Sequence, residues 1–319
     1  DFEHSGCDYT ADDVIAEFSS NNPENFLFPF MEGVIANLKT LGKIRTSETY
    51  AATLCSFRRF REDKDVTLDD MDSDMMMAYE AYLKNNGVSP NSSSFYMRNL
   101  RAVYNRAVEK ELTPQRFPFK HVYTGVDKTV KRAVPLKVIK RIKEMDFSMN
   151  PSFDFARDMF LMSFYTRGMS FVDMAYLRKK DLQNGVLSYR RRKTGQQLFI
   201  KWEKCMQEIV DKYDTSQSNY LLPIIKPFGD IDERTQYIYA AHNINRCLKI
   251  IGKELGLSVS LTLYVARHAW ASIAKSKNVP LSVISEGMGH DSEATTRIYL
   301  ASLDTVAIDK ANSMILKSL

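Results

Sequence analysis

The stretch LTLYVARHAWAS, residues Leu261–Ser272, decides how the second half of this 319-residue chain is read. It lies in a run over 262–276 that reads as a helix, and a spacing of three places Tyr264 and Arg267 on one helix face. Downstream, a helix over 280–287 leads to Met288-Gly289-His290. Nine residues after that histidine comes Tyr299, within Thr295-Thr296-Arg297-Ile298-Tyr299. Upstream, Val186–Tyr189 is a strand signal, Lys193-Thr194-Gly195-Gln196 a turn and Gln197–Trp202 the return strand, so Lys193 stands at a hairpin tip. Arg167 falls late in an apolar helix over 153–166, within Tyr165-Thr166-Arg167-Gly168-Met169-Ser170. Helices over 136–145, 173–180, 203–213 and 235–255 complete the unit. Residues 135–319 are expected to form a mixed α+β domain, mainly helical with a small antiparallel sheet. Its tail, 304–319, carries the apolar residues Val306, Ile308, Met314, Ile315 and Leu316.

Each of these features has an ordinary explanation when taken singly. An arginine near an apolar helix end can snorkel to water. A basic hairpin tip is commonly just solvated, Gly289-His290 can stop a helix, and Tyr299 can anchor a core. Their order and spacing together carry the functional reading.

The first 120 residues read as a small bundle of four helices joined by brief loops. Phe26, Phe30, Ile35 and Leu38 mark the first, over 24–39. Ser47 is the expected cap of the second, through Tyr50, Leu54, Phe57 and Phe60. Asp70 or Ser73 is the expected cap of the third, through Met76, Tyr79 and Leu83. The fourth opens near Ser92 and runs through Tyr96, Leu100, Val103, Tyr104 and Val108. Arg98, Arg101, Arg106 and Lys110 line its polar side, with Asn99 and Asn105 among them. Arginine and asparagine reach phosphates and base edges from a helix in a major groove, although a solvated helix face has the same composition. Residues 121–134, with Pro114 and Pro118 just before them and Lys128, Lys131 and Arg132 among them, read as an interdomain linker. Residues 1–23 read as a further linker or the remnant of an arm domain.

Composition narrows the function classes. The hydrophobic share is 44% and the charged share 26%, which suits a folded globular chain and excludes disorder or a fibre as the main state. The net charge of +5 hides a strong asymmetry: −10 over residues 1–80, +5 over 81–120 and +10 over 121–319. A basic body behind an acidic start suits a polyanion such as DNA. Cys7, Cys55, Cys205 and Cys247 are scattered, without a CxxC pair, so neither a disulfide framework nor a zinc site is expected. No apolar stretch is long enough to span a membrane, and no signal segment opens the chain, so a cytoplasmic, nucleoid-associated bacterial protein is expected. The missing initiator Met leaves room for an upstream arm-binding domain. There is no internal repeat.

The ordered set Arg167, Lys193, Tyr264-x-x-Arg267, His290 and Tyr299 resembles the signature of the tyrosine recombinase (phage integrase) family. That signature is an arginine, a lysine on a β-hairpin, His-x-x-Arg, a His or Trp, and a nucleophilic tyrosine. Leu261–Ser272 is similar to the family's His-x-x-Arg-His box, and Gly287–Leu300 to its histidine-to-tyrosine box. Asn99–Asn105 resembles the last helix of the family's core-binding domain, in the manner of integrases from Bacteroides-type mobile elements. The resemblance implies a four-helix, SAM-like core-binding domain followed by the family's catalytic domain. Two positions depart from the pattern. Tyr264 stands where a histidine is usual, and a phenol is a poor proton acceptor at neutral pH. Aligning Asp173 with the family's acidic residue puts the usual first arginine at Ser170. Arg167, three residues earlier, is the favoured substitute, and Arg191 is its rival.

By resemblance, the two arginines hold the phosphate, His290 donates to it, Tyr264 supports it and Lys193 protonates the leaving 5′-oxygen. Tyr299 attacks phosphorus to give a 3′-phosphotyrosine, and a 5′-hydroxyl reverses the attack. No metal, ATP or other cofactor is expected. The expected partners are double-stranded recombination sites gripped by a C-shaped clamp. A free monomer would assemble into a tetramer on DNA, with DNA-bending accessory proteins a further expectation. Arg98, Asn99, Arg101, Asn105 and Arg106 are the expected DNA contacts of the first domain. The competing readings are a relaxing topoisomerase of the type IB class and a DNA-binding protein that has lost catalysis, the latter motivated by Tyr264 and Ser170.

Overall fold

The computed structural model describes residues 25–127, 133–226, 230–300 and 312–317, and for Ile298 and Tyr299 the backbone alone. The chain divides into two compact units, Asp1–Thr129 and Val130–Leu319. Residues 1–24, the segment 128–132, and Val306 and Ile308 of the tail lie outside the described residues.

In the first unit, α1 (Leu27–Thr40), α2 (Ile44–Phe60), α3 (Ser73–Asn85) and α4 (Pro90–Glu109) close on one core. Phe57, Tyr79, Leu100 and Tyr104 are fully buried there, with the Tyr79 ring edge-on to Phe57 at 5.0 Å. The caps differ from those expected. α2 starts at Ile44, and Ser47 lies inside it, its buried hydroxyl donating back to the Ile44 carbonyl at 2.7 Å. A serine that satisfies itself on the preceding turn has no need to cap. Asp72 rather than Asp70 or Ser73 caps α3, accepting from the Met75 N–H at 2.8 Å; the Asp70 carboxylate instead takes the Thr67 hydroxyl. α4 starts at Pro90, whose fixed φ suits a first helical position, and Ser89 caps it.

The stretch 121–127, read from sequence as linker, is tied into this unit. Phe119 and Val122 sit in its core. Glu80 accepts from the Tyr123 N–H at 2.8 Å, Ser94 donates to the Gly125 carbonyl at 2.5 Å, and Asn91 exchanges hydrogen bonds with the Asp127 backbone. Polar composition concealed this, because beyond Val122 the segment is held through its backbone.

The second unit is built on α6 (Pro151–Tyr165), whose Met159, Phe160, Leu161 and Met162 are all buried. A helix apolar all round belongs in a core. Around it pack α5 (Leu136–Glu144), α8 (Lys204–Asp211), α9 (Glu233–Glu254) and α10 (Leu263–Ser276). The expected helix over 173–180 is shorter: α7 covers Phe171–Ala175, and one 3-10 turn covers Lys179–Asp181. The intervening backbone is extended because it pairs with the segment 219–221, through Leu221 N–H to the Leu177 carbonyl and Lys179 N–H to the Asn219 carbonyl. The sheet has order β1-β2-β3, antiparallel: β1 Leu182–Gln183, β2 Val186–Arg190 and β3 Gln197–Lys201. Asn184 and Gly185, both at positive φ, make the tight turn into β2 that an Asn-Gly pair favours. The pairing of β2 with β3 ends at Arg190 opposite Gln197, which leaves residues 191–196 as the turn. Helices α11 (Leu281–Met288) and α12 (Glu293–Leu300) form a small satellite core on Ala271, Ile284, Met288 and Leu300.

Candidate active site

Two consecutive left-handed residues, Arg167 (φ +60°) and Gly168 (φ +75°), turn the chain sharply after α6. This presents the Gly168 carbonyl to α10, where Arg267 Nη1 donates to it at 2.6 Å. The approach requires glycine, since a Cβ at Gly168 would lie 2.7 Å from Arg267 Cα. Arg267 is almost wholly buried. Its Nη2 donates to the Met288 carbonyl at 2.7 Å and lies 3.0 Å from His290 Nε2.

A second guanidinium meets the same turn from the sheet. Arg191, just past the end of β2, is as deeply buried as Arg267, and its Nη1 donates to the Gly289 carbonyl. Gly289 closes α11 at φ +63°, and a Cβ there would meet Arg191 Cδ at 2.6 Å. Two arginines thus hold the successive carbonyls of Met288 and Gly289, which fixes the turn that presents His290. Asp173 steadies the hairpin base from below. It accepts from the Arg192 N–H at 2.8 Å and from the Ser170 hydroxyl at 2.6 Å, and lies 3.9 Å from Arg191 Nε. Ser170, where sequence alignment expects an arginine, therefore acts as the cap of α7 and a brace for Asp173.

His290 links this cluster to α12: its Nδ1 lies 2.7 Å from the hydroxyl oxygen of the fully buried Thr296. An arginine can only donate, so His290 Nε2 is the acceptor, and the imidazole is neutral with its proton on Nδ1 toward Thr296. Burial, then the charges of Arg267, Arg191 and Lys193, hold the His290 pKa down at about 4, against 6.5 for a free imidazole. A histidine whose folded pKa is depressed favours the unfolded chain once protonated, so its contribution is intact above pH 6.5 and is lost as pH falls toward 4. Thermal melting between those limits should show stability falling with pH, and a His290→Gln variant should show a shallower fall. An unchanged slope would contradict the assigned burial.

The other expected residues are placed as follows. Lys193 is exposed in the β2–β3 turn, close enough for its charge to act on His290. Arg167 is half-buried and runs along Gly287, where a Cβ would lie 3.6 Å from its Cδ. It is not among the cations acting most strongly on His290. Tyr264 is 60% exposed on α10, with its ring edge-on to the buried His268 at 4.6 Å. Tyr299 is on α12, one turn after Thr296, and its side chain lies outside the described residues.

The five expected DNA contacts of α4 do not share one face. Arg98, Arg101 and Asn105 point one way, with Arg101 donating to the Thr124 hydroxyl at 3.3 Å and Asn105 accepting from Gln115 at 3.3 Å. Asn99 and Arg106 point toward α2: Asn99 donates to the Thr53 hydroxyl at 2.8 Å, and the Arg106 guanidinium lies over the Tyr50 ring at 5.8 Å. Thr296, Gly168 and Tyr189 were given no functional role in the sequence reading, and Gly289 only that of a helix stop, which it fills. Tyr189, buried beneath the cluster with its hydroxyl pKa raised by desolvation, is a β2 residue that period-two alternation marks only as core. Among the described residues no group of three or more His, Cys, Asp or Glu side chains is placed to hold a metal ion, and no helix is long and apolar enough to cross a membrane.

A cluster of guanidinium groups, an imidazole and an exposed turn lysine beside a helix that carries a tyrosine suits phosphate-ester chemistry. The sequence pattern of the phage integrase family matches residues 136–305, and that of the phage integrase SAM-like domain matches 26–122. The chain belongs to the phage integrase family and is a tyrosine-type site-specific DNA recombinase. No curated protein sequence matches it. Among solved structures it is similar to a lambda integrase dimer bound to a COC′ core site, with a TM-score of 0.69 at 16% identity over 95% of this chain and 84% of the other. It is also similar to the XerH recombinase bound to a palindromic difH substrate (TM-score 0.64, 16% identity, 89% and 83% covered). A third likeness is the Tn1549 transposon integrase with a circular-intermediate DNA (TM-score 0.59, 15% identity, 85% and 94% covered). The pairing of a SAM-like domain with this catalytic domain favours a recombinase over a relaxing topoisomerase.

Proposed function

We propose that the chain binds duplex recombination sites, cuts one strand through Tyr299 and rejoins it to a strand of another duplex. The observation that carries this reading is the convergence of Arg267 and Arg191 on the turn of His290. An incoming phosphodiester would replace the carbonyls as their partner, and its developing negative charge would meet two preset guanidinium forks. Arg191 takes the first-arginine role, because it holds the Gly289 carbonyl next to the Met288 carbonyl held by Arg267, while Arg167 lies against Gly287. The phosphate's charge also offsets the field that depresses the His290 pKa, so the imidazole becomes a better donor when substrate is bound. Tyr264 contacts the phosphate or its flanking sugar.

Lys193 is the acid for the leaving 5′-oxygen. Its exposure on a turn lets it reach DNA. Lys193→Ala should slow cleavage by ~10²–10⁴-fold. A 5′-bridging phosphorothioate, whose leaving thiolate needs no proton, should restore most of the rate. A variant equally slow on both substrates would remove the acid role.

The working assembly is a tetramer on two duplexes, to which the lambda integrase tetramer on a Holliday junction is a structural parallel. The exposed Met314, Ile315 and Leu316 in the tail suit packing on a neighbouring protomer. Accessory bending proteins would assist assembly. Nicked duplexes drawn from the DNA flanking the gene should trap an SDS-resistant adduct; failure across all such duplexes would overturn the proposal. Flanking inverted repeats would indicate inversion, and neighbouring transfer genes integration.

A further inference from the structure

Phe117 is held in an uncommon position. It lies at φ +52°, in the left-handed region that glycine and asparagine adopt readily and bulky residues rarely do. Its ring is 66% exposed, so the strain is not repaid by burial within the described structure. The backbone around it is fixed: the Phe117 N–H donates to Gln115 Oε1 at 3.0 Å, the Gln115 amide donates to Asn105 at 3.3 Å, and Pro118 and Phe119 behind it are buried. Tyr104 pins the approach, donating to the Pro114 carbonyl at 2.9 Å and accepting from the Arg116 N–H at 3.3 Å. Phe117 borders an open cleft of about 480 Å³, also lined by Arg101, Asn105, Gln115 and Lys120, with no acidic side chain on its walls.

A strained, exposed aromatic that shares a cleft with two cations matches one kind of surface. Polyanionic duplexes offer phosphates on both sides of a groove and an apolar base step between them. Apolar side chains inserted at such steps unstack them and bend the duplex. We propose that Phe117 is an aromatic wedge that enters a base step of bound DNA, with Arg101 and Lys120 on the phosphates to either side. This rests on the DNA-binding reading above and extends it to a contact made by the first unit. Charge complementarity favours DNA over a protein partner, because an apolar protein surface would leave both cations without a counter-charge.

The test uses Phe117→Asn, since asparagine suits the left-handed backbone and the variant should melt no lower than the parent. The full chain and both Phe117→Asn and Lys120→Gln are titrated with random-sequence duplexes containing 2-aminopurine, over a range of salt. The parent should bind with a rise in 2-aminopurine fluorescence as the step unstacks. Phe117→Asn should lose about tenfold in affinity at fixed salt, the order of one stacking contact, together with the fluorescence rise. Its salt slope should be unchanged because no charge is removed. Lys120→Gln should keep the fluorescence rise and lower the salt slope by about one. Parental affinity and fluorescence in Phe117→Asn would overturn the wedge while leaving DNA binding in place. Loss of self-association with intact DNA binding would assign the surface to a protein partner and overturn it equally. A parent that binds no duplex would overturn the DNA reading itself.

Discussion

Replacing Tyr299 by phenylalanine should abolish the covalent protein–DNA adduct and all strand joining while leaving duplex binding intact. The loss should be very large, on the order of 10⁶-fold where the nucleophile of a covalent mechanism is removed. The substitution deletes one oxygen, carries no charge and leaves the guanidinium cluster untouched, so affinity for DNA and its salt dependence should match the parent. The placement behind this expectation is indirect but specific. His290 reaches Thr296 on α12 at 2.7 Å, and Tyr299 follows Thr296 by one helical turn. The helix that carries the phenol is thus tethered to the imidazole of the phosphate site. Gel separation under denaturing conditions, with a nicked duplex that lets the cut end diffuse away, reads the adduct directly. An adduct that persists in Tyr299→Phe would move the nucleophile elsewhere, and the exposed Tyr264 would be the next phenol to replace.

Arg191→Ala should lower cleavage by about 10²–10³-fold, the cost of removing one preset donor from a site where charge develops. It should also lower the melting temperature, because the Gly289 carbonyl loses its donor and the buried Asp173 loses its neighbouring cation. Arg191→Lys separates these effects. It keeps the charge beside Asp173 and recovers much of the stability, yet lacks the planar fork and should remain catalytically weak. Arg167→Ala should cost far less activity. Single-turnover cleavage at saturating protein is the measurement, since it removes differences in DNA affinity. If Arg167→Ala proved the more damaging of the two, the first-arginine role would return to the end of α6.

Asp173→Asn offers a structural check on the same assignment, for its carboxylate receives the Arg192 N–H and the Ser170 hydroxyl together. The family's pattern leaves Ser170 as a gap. The surrounding hydrogen bonds give it a use, bracing the carboxylate that seats the hairpin. The apparent defect at one position is thus coupled to a buried arginine twenty-one residues later.

Much of this was legible in the linear order. Periodicity located α1 to α4, α6, α10 and the β2–β3 hairpin to within a few residues, because each buries one face against a core and must repeat its apolar residues at 3.6 or 2. The family's ordered residues were equally visible, since chemistry of this kind needs particular side chains at particular elements. The positions that misled were governed by distant partners. The helix expected over 173–180 was cut short by pairing with 219–221, and the segment 121–127 was drawn into the first unit by Glu80, Ser94 and Asn91. Asn99, an expected DNA contact, donates to Thr53 on α2, a partner that the sequence did not indicate.

The amino-acid sequence by itself determined the class of this protein: a helical bundle, a helical domain with a small sheet, and the set Lys193, Arg267, His290 and Tyr299. Tertiary structure alone decided which carbonyls the buried Arg191 and Arg267 hold, what the serine at 170 does, and in which tautomer His290 waits. The reason is that local pattern fixes what an element is, through its own hydrogen bonds and apolar spacing. Where a long, charged side chain points is set instead by the carbonyls and carboxylates that other elements bring to it, here Gly168, Asp173, Met288 and Gly289.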